Sequence, residues 1–150
     1  MRNLLTTLLV VSAFTAPAQK RDTTYTSVHI DKITVKEFID IAGKYDRDVW
    51  FGNALTVWGT VNKEWLSKQD LAYLFGFIRS QEKCRCITRA YSSYRPPVSE
   101  YSTVGGLACE LLDMYRLGTE YPSAQWACTK TWKERVEALE DWWRTRGAPK

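Results

Sequence analysis

Four cysteines, Cys84, Cys86, Cys109 and Cys128, crowd into the second half of this 150-residue chain, and any fold must reconcile their positions. An even count predicts structural disulfides if the chain meets an oxidising compartment. The N-terminus supplies the reason to expect that. Met1-Arg2-Asn3 places one positive charge ahead of an apolar run over residues 4–14, and Ala16 and Ala18 then stand in the A-x-A arrangement that signal peptidase cuts. The run is shorter than the ~20 residues a membrane span needs. Residues 1–18 therefore read as a secretory signal, with cleavage after Ala18, a mature chain from Gln19, and a periplasmic or extracellular destination. Later apolar stretches are all broken by charge, so no membrane span is expected in the mature protein.

Three pairings of four cysteines exist. Joining Cys84 to Cys86 closes a very small, strained ring and is disfavoured. Cys84–Cys109 with Cys86–Cys128, or Cys84–Cys128 with Cys86–Cys109, remain, and either leaves no free thiol. A bridge of this span contributes about 3–4 kcal/mol. Cys84-Arg85-Cys86 also has the form of a redox or soft-metal pair, but the other two cysteines can absorb both thiols. With one histidine and no zinc-type spacing, neither a metal site nor a cofactor is predicted.

Helical periodicity dominates the rest. Residues 19–27 are polar and read as a flexible leader. Thr34 and Glu37 form a capping box ahead of a helix carrying Val35, Phe38, Ile39 and Ala42. Trp50, Ala54, Val57, Trp58 and Val61 fit one helical face, although Gly52 and Gly59 weaken it and a strand over residues 55–61 is an alternative. Ser67 and Asp70 announce a helix with Leu71, Leu74, Phe75 and Ile78. Residues 86–94 look extended or irregular, and Pro96-Pro97 marks a loop. Ser99 or Ser102 opens the strongest helix, with Val104, Leu107, Ala108, Leu111, Leu112 and Tyr115 at helical spacing and Gly118 just past its end. Gly105 and Gly106 make its first turns slim enough for close approach. A short helical piece follows at 123–128, and Thr131 signals a last helix over 132–146. These features predict a mainly α fold: one compact domain of about five helices over 28–147, irregular connections, two structural disulfides and a short tail at 148–150.

Candidate chemistry is sparse. His29, the single histidine, would have to serve any Ser-His-Asp or Cys-His system, and its place beside the polar leader argues for a solvated position instead. Asp46 with Asp48, Glu110 with Asp113, and Glu137 with Glu140 or Asp141 could supply the two acids of a glycosidase, yet each also fits a helix start or a charged helix surface. With Arg2 removed the balance is a mild +3, interleaved along the chain, which does not provide the footprint of a nucleic-acid binder. Aromatic content is the unusual feature: seven Trp and eight Tyr, too many to bury fully in one small core. Tyr91, Tyr94, Arg95 and Tyr101 concentrate on the Pro-Pro loop, with Trp126 as an extension, a composition suited to binding. The expectation is an exported helical protein that binds another protein, as an inhibitor or immunity-like factor does. A small hydrolase using paired carboxylates and a carbohydrate-binding module are the alternatives.

Overall fold

The Thr34 hydroxyl accepts the Glu37 N–H while the Glu37 carboxylate takes the Thr34 N–H, and helix α1 (Val35–Ala42) starts behind this box. Ser67 and Asp70 close the same reciprocal pair ahead of α2 (Lys68–Phe75). Such caps contribute about 1 kcal/mol each by satisfying backbone donors that have no partner inside the helix. Helix α3 (Val104–Leu117) is capped by Thr103 rather than Ser102, and ends at Gly118, whose φ of 67° is the left-handed value that favours glycine. Helix α4 (Lys133–Trp142) runs into a π-helical turn, Trp143–Gly147. Trp132 is its N-cap, with no side-chain hydrogen bond. The Thr131 hydroxyl, expected to signal that cap, instead donates to the Ser80 carbonyl and pairs with Thr103.

This computed structural model describes residues 27–45, 53–93 and 100–147. The proposed leader up to residue 26, Asp46, Asp48, Tyr94, Arg95 and the tail from 148 lie outside the described residues.

The mainly α expectation is overturned, because a mixed sheet runs through the molecule and the fold is α/β. Strand β1 (Ser27–His29) pairs in parallel with β2 (Ala54–Trp58), which pairs in parallel with β4 (Cys86–Arg89), and β4 pairs antiparallel with β6 (Trp126–Ala127). A separate two-stranded ladder joins β3 (Lys83–Cys84) to β5 (Ser102–Thr103). Parallel neighbours need a long crossover, and α1 and α2 lie in the two that link β1, β2 and β4. The stretch expected as a second helix is therefore β2 in its described part. Leu55 and Val57 are buried, Thr56 is half-buried and Trp58 exposed, the alternation of a strand. The helical piece at 123–128 is likewise replaced by β6.

Val28, Leu55, Val57 and Ile87 meet Phe38, Ile39, Leu71, Leu74 and the long apolar face of α3 in one hydrophobic core. Gly105 and Gly106 allow the chain at Ser80 and at 129–131 to cross α3 at contact distance. A Cβ on Gly106 would lie 2.5 Å from the Thr129 carbonyl oxygen, and one on Gly105 2.5 Å from that of Ser80.

One disulfide is present where two were expected. Cys86 is bonded to Cys128 with Cα atoms 4.5 Å apart, while Cys84 and Cys109 are free and buried. Sheet register explains the choice. Ile87 pairs with Ala127 and Thr88 with Trp126, so one step further sets Cys86 opposite Cys128. The Cα separation is that of a non-hydrogen-bonded antiparallel pair. Burial pushes the Cys84 thiol up to about 12 and the Cys109 thiol up to about 11, so neither is poised for thiolate chemistry.

Candidate functional site

The carboxyl ends of the parallel strands β1, β2 and β4 lie at one edge of the sheet, the edge at which open α/β folds bind their ligands. His29 ends β1, Trp58 ends β2 and Arg89 ends β4. Because β6 is antiparallel, its first residue, Trp126, reaches the same edge, with the Gln125 carbonyl accepting the Arg89 N–H. Register then does what sequence proximity cannot. His29 and Trp58 are partners across the sheet, and their rings stack at 5.8 Å with 18° between planes. Tyr91, just past β4, sets its ring edge-on to Trp58 at 5.5 Å. Tyr91 is 87% exposed, Trp126 42% and Trp58 36%.

The same face carries hydroxyls. Ser27, Thr56, Thr88 and Trp126 occupy one row across four strands, and the Thr56 and Thr88 hydroxyls lie 3.5 Å apart. Residues paired across neighbouring strands share a face, so the row and the aromatic set lie on the side of the sheet opposite Val28, Leu55, Val57 and Ile87. The Cys86–Cys128 bridge belongs to this face too and ties β6 to β4 beneath Trp126.

Of the residues expected to bind, Tyr91 and Trp126 are thus brought to one edge. Tyr101 is not with them in kind. Its ring is half-buried, with the Lys83 ammonium 4.2 Å and the Lys130 ammonium 3.0 Å from its centre and Tyr45 at its edge. Lys130 also donates to the Tyr101 carbonyl, so this cluster fastens the chain at 129–131 to the start of β5. Sequence reasoning missed Trp58 as a site residue, and left His29 without a neighbour. Its signal was the outward phase of β2, legible only once residues 54–58 are taken as a strand.

Among the described residues, four of the candidate carboxylates are held in ion pairs. Asp113 is bonded to Arg135 and Arg116, Glu137 to Lys133, Glu140 to Arg79 and Asp141 to Arg144. Burial raises the Glu110 carboxyl above its ordinary range, against a Thr129 hydrogen bond and the Arg135 charge. Nearby Tyr121 is buried, its hydroxyl has no hydrogen-bond partner among the described residues, and burial holds its pKa well above the usual phenol value. Among the described residues no three His, Cys, Asp or Glu side chains gather as a metal-binding group, and no helix is long and apolar enough to cross a membrane.

A second feature opens at the same edge. A shallow cleft of about 340 Å³ lies beyond the ends of β1 and β2, lined by Asp31, Thr60, Asn62, Glu64, Trp65 and Glu120 among others. Comparison of the chain with protein-family models, curated proteins and solved structures finds no match.

Proposed function

We propose that this chain is an exported protein that acts by binding another protein through the aromatic edge of its sheet. The carrying observation is the exposed set His29, Trp58 and Tyr91 at the strand carboxyl ends, His29 stacked on Trp58 and Tyr91 edge-on to it, with exposed Trp126 on the same sheet. Trp and Tyr dominate binding hot spots because each offers large area at low entropy cost. Rings that brace one another are already ordered, so a partner spends less on fixing them. Export is supported by the leader-like residues 1–18 and by the Cys86–Cys128 bridge. An inhibitor or immunity-like role fits this class of surface. The ion pairs that occupy Asp113, Glu137, Glu140 and Asp141 tell against these four as the two acids of a hydrolase, which must face one substrate.

The test compares partner capture by the wild-type protein with that by Trp58→Ala and Tyr91→Ala, each checked for unchanged melting. Each substitution is expected to weaken a captured protein's binding by roughly 1–3 kcal/mol. A partner that binds both variants and Trp126→Ala as tightly as wild type would remove the aromatic edge from consideration. Turnover of a glycan would move the protein to the hydrolase class.

A further inference from the structure

Resting on the aromatic edge proposed above as the partner surface, we infer that the partner segment it takes is proline-rich and in the polyproline II conformation. No residue of β1, β2, β4 or β6 that shares a face with Thr56 and Trp58 is an Asp, Glu, Lys or Arg, in a chain of which 25% is charged. Arg89, as the partner of Val57, belongs to the other face. The rings form a notch: the Trp58 and Tyr91 planes stand 78° apart at 5.5 Å, while His29 stacks on Trp58 and braces it. The free polar groups of this notch can donate. Among the described residues neither the Trp58 indole N–H nor the Tyr91 hydroxyl has a hydrogen-bond partner, whereas the Trp65 indole N–H is given to the Ile33 carbonyl.

A polyproline II segment matches each of these properties. It makes no internal hydrogen bonds, and proline has no N–H, so the segment offers carbonyl acceptors and asks for none in return. Two donors beside a notch can meet those carbonyls, while the rigid pyrrolidine rings pack on the aromatic walls. The segment is ordered before it binds, as the braced rings are, so little freedom is lost on either side. Other occupants suit the surface less. An amphipathic helix needs an apolar groove, but Leu55, Val57 and Ile87 are all buried in the core. A glycan presents hydroxyl donors and calls for acceptors, and the sheet hydroxyls of this face are engaged. The Thr88 hydroxyl is buried and lies 3.5 Å from both the Thr56 hydroxyl and the Leu55 carbonyl oxygen. A strongly charged peptide finds no opposite charge among these strand residues.

The test is an NMR titration of the ¹⁵N-labelled full chain with a blocked deca-proline peptide, and in parallel with a blocked Gly-Ser decapeptide and with maltohexaose. Saturable shifts are expected from deca-proline alone, at the Trp58 indole N–H, identified by its loss in Trp58→Phe, and at the Tyr91 amide. Tyr91→Ala should weaken deca-proline binding roughly tenfold, and Trp58→Phe, which keeps a ring and removes the donor, by several-fold. Tyr91 is so exposed that its truncation leaves the core intact, and Trp132→Ala, which removes another exposed Trp, should change nothing. No saturable shift with deca-proline, equal shifts with the Gly-Ser peptide, or unchanged affinity in both variants overturns the inference. So does maltohexaose bound at the edge in place of deca-proline, which would assign the surface to a glycan. Failure here is distinct from failure of the edge itself. A captured partner that needs Trp58 and Tyr91, with no deca-proline bound, sinks the proline inference alone. Deca-proline held at the notch while captured partners ignore both variants sinks the edge as the partner surface and keeps the peptide site.

Discussion

Opening the Cys86–Cys128 bridge should be the most damaging single chemical change available in this chain. The two residues are 42 apart. In the chain-entropy model, closing a loop of that length removes about 13 cal/mol/K from the unfolded state, or about 4 kcal/mol at 25 °C. That is a large share of the 5–15 kcal/mol typical of a small domain's stability. The double variant Cys86→Ala/Cys128→Ala should therefore shift the urea midpoint down by roughly 2 M for a slope near 2 kcal/mol/M. Reducing the wild-type protein should give the same shift, because both treatments release the same loop. Thiol counting in urea without reductant should find two reactive groups, mapped to Cys84 and Cys109. Zero or four would contradict this pairing, and a loss below about 1 kcal/mol would show that the unfolded chain gains little freedom when the loop opens.

Gly106→Ala should destabilise by roughly 1–3 kcal/mol, since its Cβ meets the Thr129 carbonyl oxygen at 2.5 Å and backbone cannot step aside as a side chain can; an unchanged melting temperature would mean the crossing is looser than it looks. Glu110→Gln should flatten the pH dependence of stability. Its folded pKa is raised, so the unfolded chain holds fewer protons there, and stability falls as pH rises from the ordinary value of 4.5 through the raised folded one. Wild-type and variant melts should agree in shape below that window and diverge above it, with the variant favoured; parallel profiles would refute the assignment.

The helices were legible because their apolar residues recur at helical spacing, and α1, α2 and α3 add capping chemistry at their ends. Thr34 with Glu37, Ser67 with Asp70, and Gly118 act through spacing alone, and spacing is local. The strands were not. They run for two to five residues, shorter than a periodic signal needs, and Ala54, Val57, Trp58 and Val61 satisfy helical spacing by coincidence. What separates the two readings is that Leu55, the residue a helix would leave off that face, is fully buried beside Ile87 of the neighbouring strand. That contact exists only after the crossover through α2 has formed. The cysteines follow the same logic, since register selects the Cys86–Cys128 pair.

The site was half legible for a related reason. Tyr91 and Trp126 stood out as aromatics in polar, loop-like sequence, and the fold delivers both to one edge. Trp58 looked like core, because in a helix it shares a face with Val57, Ala54 and Val61. In a strand, neighbours point to opposite sides, so Val57 goes inward and Trp58 outward. One change of period thus moves a large aromatic from core to surface and sets it against His29, a residue 29 positions earlier in the chain. It also carries Asp31 and Thr60 past the ends of adjacent parallel strands, which is why both line the acidic cleft there. Aromatic edge and acidic cleft are therefore consequences of a single structural fact, the parallel pairing of β1 with β2. A substitution that broke this pairing would remove both at once.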